Sequence, residues 1–98
     1  MADSGFEKKD RAFIVKIVRR YLPTAKIFFF GSRLRGDHKA TSDLDLCLDI
    51  GKPIPLEQFS RLKEELLESN LLFKVDLTDW HRITTEFQEV ILRQFNSW

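Results

Sequence analysis

The sequence predicts an α/β fold of one layer pair, and three observations carry that reading: helical spacing of apolar residues over 8–22, a continuously apolar aromatic run over 25–30, and strict alternation over 42–49. The elements follow in the order helix, strand, polar loop, strand, helix, strand, helix, with no repeat or low-complexity tract between them. Ninety-eight residues suffice for a single core, so one domain is expected over 1–98, with no room for a separate substrate-binding domain.

In the first helix Phe13, Ile14, Ile17, Val18, Tyr21 and Leu22 recur on one side, Lys9, Lys16, Arg19 and Arg20 occupy the others, and Pro23 closes it. Ala25 to Phe30 then reads as a strand covered on both faces, ended by Gly31. Arg33 to Arg35 open a short helical turn. From Ser42 to Asp49, Leu44, Leu46 and Leu48 share one face while Asp43, Asp45, Cys47 and Asp49 share the other, as a strand requires. Gly51, Pro53 and Pro55 mark a turn before a second helix over 56–69, with Leu56, Phe59, Leu62, Leu66 and Leu67 near helical spacing. Leu71 to Leu77 reads as a third strand. A last helix from about Glu86 to Phe95 is expected to begin with a Thr85 and Gln88 capping box and to turn Phe87, Val90, Ile91 and Phe95 inward.

Composition narrows the function classes. Sixteen Lys and Arg against fifteen Asp and Glu leave a formal net charge of +1, so no global positive field favours nucleic acid, and direct nucleic-acid binding is not expected. No apolar run approaches the roughly 20 residues that span a bilayer, and the polar start lacks a secretory core, so a cytoplasmic protein without membrane contact is expected. A single cysteine, Cys47, forbids an internal disulfide and reads as a strand filler. His38 and His81 have no partner at zinc-ligand spacing and are expected at the surface; one of Trp80 and Trp98 is a candidate interface anchor.

Asp43 and Asp45, two apart in a strand, project from one face about 6 to 7 Å apart along the chain. Such a pair on a half-buried surface raises its own pKa values or recruits a cation, and carboxylate oxygens suit Mg²⁺ or Mn²⁺. Asp76 interrupts the apolar Val75-Asp76-Leu77, and an adjacent strand would bring it within about 5 Å of the first two. Opposite these acids, Gly31 and Ser32 follow a buried strand and start a helical turn, where backbone N–H groups attract phosphate and glycine permits close approach. Arg33, Arg35, His38 and Lys39 add local positive charge, Arg33 being the better placed to touch phosphate. The chain contains neither G-x-x-x-x-G-K-[ST] nor G-x-G-x-x-G, which excludes a P-loop and a dinucleotide fingerprint. Asp49 and Asp79 are expected not to be ligands. A lone D-x-D is weak evidence, as is a lone Gly-Ser; the combination is specific.

Gly31-Ser32, ten residues, Asp43-Leu44-Asp45-Leu46, and later Val75-Asp76-Leu77 together resemble the hG[GS]…Dh[DE]h…h[DE]h signature of the polymerase-β-like nucleotidyltransferases. The fuller Gly31-Ser32-Arg33-Leu34-Arg35-Gly36 and Ser42-Asp43-Leu44-Asp45-Leu46 are similar to the minimal nucleotidyltransferases, often encoded beside a HEPN-domain protein, and the likeness runs over about 14–95. The resemblance implies a short mixed sheet flanked by helices. It implies two Mg²⁺ ions, with Mn²⁺ as a substitute, held by the catalytic acids Asp43, Asp45 and Asp76. Gly31, Ser32, Arg33 and Ser42 fall at the nucleotide, with Gly31 and Ser32 on the β and γ phosphates of an NTP, ATP being expected. It further implies transfer of AMP to a tyrosine of a HEPN-domain toxin, the chain acting as antitoxin. Larger relatives carry a further domain that grips the acceptor, so a partner polypeptide is expected to help; self-association stays open. Two other readings remain: a module that neutralises a toxin by contact alone, and a nucleotidyltransferase acting on RNA or a small molecule.

Overall fold

The computed structural model describes residues 8–37, 39 and 42–98. Along the chain run α1 (Lys8–Tyr21), β1 (Lys26–Phe30), α2 (Ser32–Arg35), β2 (Leu44–Asp49), α3 (Leu56–Leu67), β3 (Val75–Asp79), a 3-10 turn (Trp80–Arg82), α4 (Thr85–Arg93) and β4 (Asn96–Ser97). The strands form one sheet in the order β3-β2-β1-β4, with β1 antiparallel to β2 and to β4 and β2 parallel to β3. The sheet is therefore mixed, with β2 and β1 at its centre.

Strand alternation divides the core. Ile27 and Phe29 of β1 and Leu44, Leu46 and Leu48 of β2 face Ile14, Ile17 and Val18 of α1 and Leu62 and Leu66 of α3, all buried. On the other face Phe28, Phe30 and Cys47 meet Ile91, Phe87 and Phe95 in and after α4. Burial of these side chains is the main stabilisation of the sheet, because each strand is clothed on both sides. Polar contacts fix how α1 lies against α3: Glu65 accepts from the Tyr21 hydroxyl and from Arg20, each at 2.7 Å, and the Gln58 amide donates to the Tyr21 carbonyl at 2.7 Å. Arg19 donates to the Ala25 carbonyl and so braces the turn at Pro23.

Several expectations are corrected. The third strand spans Val75–Asp79, not Leu71 to Leu77. Pairing sets these limits: β2 starts at Leu44, which sits opposite Val75, so residues before it have no strand to pair with, while Leu48 holds Asp79 in register at the far end. Of the residues lost from the strand, Leu72 is 96% exposed, whereas Leu71 and Phe73 pack against the larger core. The last helix is capped by Thr84, whose hydroxyl accepts from the Phe87 amide at 3.1 Å, one residue earlier than the expected box; Gln88 instead donates its side-chain amide to the Trp80 carbonyl at 2.9 Å. That helix stops at Arg93, and Val90 is 49% exposed rather than inward. Leu56 and Leu67 of α3 and Phe13 of α1 also stand exposed at the rims of their stripes. The two-residue β4 has no apolar signature; its register rests on the backbone, where the Trp98 amide donates to the Ile27 carbonyl at 2.9 Å. Neither tryptophan is free: Trp80 leans on Phe28 at 5.8 Å and Trp98 on Phe29 at 5.3 Å, with Arg11 over its ring.

Asp79 joins the ends of β2 and β3 to the following turn. It is 3% exposed, and its carboxylate accepts from the Ile54 amide (2.8 Å) and the His81 amide (3.0 Å) and is ion-paired with Arg82 at 3.2 Å. A buried carboxylate is tolerable only when so many donors meet it. Asp79→Ala would leave those donors unpaired, and urea denaturation should show a loss of about 2 to 3 kcal/mol; an unchanged midpoint would contradict this role.

Candidate active site

The site forms where three strands end on the same level. In the antiparallel pair Asp45 lies opposite Phe30, and in the parallel pair it lies opposite Asp76, so one register places Asp45 between the start of the loop at Gly31 and the acid of β3. Side chains at paired positions share a face. Asp45 and Asp76 accordingly stand together on the α4 side of the sheet.

Gly31 is required by this geometry. Its φ of +89° lies in the left-handed region, and an added Cβ would fall 2.1 Å from an oxygen of Asp45. No other residue fits without displacing the carboxylate. The chain then turns at once into α2: the Gly31 carbonyl accepts from the Leu34 and Arg35 amides, both at 3.1 Å, and Gly36, also left-handed, closes the turn by donating to the Ser32 carbonyl at 2.9 Å. The first N–H groups of such a turn point away from its own hydrogen bonds.

The acids are electrostatically frustrated. Burial pushes the Asp45 carboxyl from 3.8 up to about 6, aided by the charges of Asp76 and Asp43 and a hydrogen bond with Asp76; Arg35 opposes the rise. Asp43 lies just before β2, half-exposed, within electrostatic reach of Asp45. Among the described residues no three His, Cys, Asp or Glu side chains close into a cation cage, so the arrangement is a close pair with a third acid beside it. Neighbouring carboxylates that disfavour charge on Asp45 are what a divalent cation would relieve, and in this respect the residues fit such an ion. Cys47, two residues along the same face, is buried, and that burial pushes its thiol up to about 12, far from a nucleophile's range.

Of the four residues expected at the nucleotide, Gly31 and Ser32 stand at the corner itself. Arg33 and Ser42 are drawn into the framework of the loop. Arg33 is 2% exposed, with its guanidinium over the Phe73 ring and its Nε donating to the Ser42 carbonyl, while the Ser42 hydroxyl accepts from the Lys39 amide at 2.9 Å. Arg35 is exposed at the mouth and contacts Asp37 at 3.4 Å. His38 lies outside the described residues. His81 is exposed yet stands 2.8 Å from Asp49 at the opposite end of β2, a pairing with no signal at short sequence range. A depression of about 200 Å³ adjoins the corner, between Phe30, Gly31 and Arg35 on one side and Val90 and Arg93 of α4 and the following Gln94 on the other. A larger groove of about 510 Å³, lined by Phe13, Leu71 and Leu72 among others, lies away from the acids and carries no such chemistry.

The model of the family "Polymerase beta, Nucleotidyltransferase" matches residues 13–96. The chain belongs to this nucleotidyltransferase family. It is 33% identical over 94 residues to a probable protein adenylyltransferase, MntA, of Haemophilus influenzae, covering 96% of this chain and 82% of that protein. It is also similar in structure to a toxin-antitoxin crystallised with AMP-PNP, with a TM-score of 0.77 and 25% identity over 91% of this chain and 73% of that one. A mutant MntA-HpeT toxin-antitoxin gives a TM-score of 0.75 at 25% identity, covering 90% of this chain and 70% of that one. The mixed sheet with helices on both faces is thus the nucleotidyltransferase fold, and this chain resembles a minimal nucleotidyltransferase antitoxin. Among the described residues no helix is long and apolar enough to cross a membrane.

The raised carboxyl of this nucleotidyltransferase makes stability depend on pH. Because Asp45 in the folded chain titrates near 6 and an ordinary aspartate near 3.8, the folded state keeps a proton that the unfolded chain releases between these values. Its contribution is intact below about 3.8 and is lost as pH rises through about 6. In metal-free buffer the melting temperature of Asp45→Asn should therefore gain on that of the parent between about pH 4 and about pH 7; a difference independent of pH would show that Asp45 is not under this strain.

Proposed function

We propose that this chain transfers AMP from ATP to a tyrosine hydroxyl of a HEPN-domain toxin, and acts as its antitoxin. The observation that carries the reading is the level at which Asp45 and Asp76 meet, against a glycine whose backbone leaves no space for a side chain. The likeness to a probable protein adenylyltransferase and to toxin-antitoxin structures, one with AMP-PNP, supports the donor and the kind of partner.

In the reaction the acceptor oxygen forms a bond to the α-phosphorus, the bond from that phosphorus to the β-phosphate's bridging oxygen breaks, and pyrophosphate leaves with the electron pair. The acceptor's proton passes to solvent water as the new bond forms. Gly31 and Ser32 receive the β and γ phosphates, where a helical start offers N–H groups and Ser32 a hydroxyl. Arg35, exposed beside them, adds positive charge. Asp43, Asp45 and Asp76 would hold two Mg²⁺ ions, with Mn²⁺ suiting the same oxygens, and Asp76 completes the site on the acceptor side. Bound there, such ions supply a lowered pKa for the attacking hydroxyl and neutralise charge on the leaving pyrophosphate. The depression between α2 and α4 gives a substrate room to approach the corner from the α4 side.

The direct test is mass spectrometry of a HEPN-domain partner incubated with this protein, ATP and Mg²⁺. A gain of one AMP unit on a tyrosine is expected, and Asp43→Asn should lower its rate by on the order of a hundredfold or more without unfolding the chain. No gain with any NTP, together with full neutralisation of the toxin by Asp43→Asn in cells, would replace this reading with neutralisation by contact. Labelled AMP appearing on RNA but not on protein would change the acceptor class.

A further inference from the structure

We infer that Arg33 is a positioning residue: its buried guanidinium clamps together the three chain segments on which the acids and the glycine corner are mounted. The proposal rests on the nucleotidyl-transfer reading of the site for what is being positioned, though not for the clamp itself.

The three segments meet at one side chain. Arg33 leaves α2 next to Ser32, at the corner. Its Nε donates to the Ser42 carbonyl at 3.1 Å, and Ser42 immediately precedes Asp43. The guanidinium carbon lies 4.6 Å from the centre of the Phe73 ring, and Phe73 is three residues before Asp76. Between these two contacts the Leu44 amide donates to the Lys74 carbonyl at 2.8 Å, so the loop's return and the approach to β3 are already joined at the next residue. Neither approach belongs to a strand, so the ladder between β2 and β3 does not fix where Asp43 stands. The Arg33 contacts supply that constraint.

The chemistry of the side chain suits the task. A guanidinium at 2% exposure has lost its water, and burial on that scale is tolerated only when hydrogen-bond acceptors and a ring face replace it. Arginine presents a flat, rigid fork that can stack and donate at once. Lysine offers a point charge on a flexible stem, which cannot lie flat on Phe73 while reaching the Ser42 carbonyl. At 2% exposure the side chain, as placed, has little surface to offer a phosphate.

The test compares Arg33→Lys, Arg33→Met, Phe73→Leu and the Arg33→Met/Phe73→Leu double variant, using two readouts. In hydrogen exchange without nucleotide, Arg33→Met and Phe73→Leu should each speed the amides of 32–36 and 42–45 by about tenfold, with those of β1 and α3 unchanged. In AMP transfer, Lys and Met at position 33 should be equally impaired, with kcat reduced on the order of tenfold to a hundredfold and the KM for ATP little altered. Phe73→Leu, which keeps an apolar side chain in the core, should share part of that loss, and the double variant should be no worse than the poorer single one. Parental activity in Arg33→Lys with a raised KM in Arg33→Met, and no effect of Phe73→Leu, would assign Arg33 to phosphate and overturn the clamp. If the parent itself transfers nothing, the functional reading fails separately, and exchange alone decides: faster amides at 42–45 uphold the clamp and unchanged ones overturn it.

Discussion

Two carboxylates held at the same level of adjacent parallel strands are the constraint on which the rest of this structure turns. Half-buried Asp45 and exposed Asp76 repel one another, and only the register of β2 against β3, anchored by Leu44, Leu46 and Leu48 in the core beneath, keeps them together. The neighbouring strand adds the second requirement, since Gly31 touches the Asp45 carboxylate so closely that its lack of a side chain is what lets the corner exist. A folded chain that keeps a carboxyl titrating near 6 is storing a preference for positive charge at that spot.

The two ends of β2 divide the work. At its start the acids are left underpaired, in a position to receive charge. At its far end the polar groups are satisfied: Asp79 collects two backbone N–H donors and the charge of Arg82, and Asp49 accepts from the Gly51 amide at 2.7 Å while facing His81. Similar residue types therefore take opposite roles, and the difference is the supply of donors around each carboxylate. A stable floor at one end allows a strained mouth at the other.

Much of this was legible from residue order. The alternation of Leu44, Leu46 and Leu48 against Asp45 and Cys47 fixes which side of β2 faces α1 and α3, and the aromatic run of β1 announces a strand covered twice. What escaped was non-local. The limits of β3 depend on where β2 begins, the two polar residues of β4 become a strand only through β1, and of two adjacent threonines it is Thr84, not Thr85, whose hydroxyl caps α4. Arg33 was expected at the nucleotide, and its burial was not legible because its stacking partner Phe73 lies forty residues away in the sequence, beyond the reach of any local pattern. Asp79 was expected not to be a ligand; its framework role was not legible, because its donors come from Ile54 and from the turn that follows it.

The most direct test of the central claim follows Mn²⁺ as a paramagnetic probe in NMR spectra of the whole protein. If the acids beside Gly31 form the cation site, amide signals of Gly31, Ser32, Asp45 and Asp76 should broaden first at substoichiometric Mn²⁺, and Asp45→Asn should abolish that selectivity. Broadening that begins instead among the exposed acids Glu57 and Glu64 of α3 and Glu68 just after it, and is indifferent to Asp45→Asn, would contradict the placement of catalysis at the end of β2.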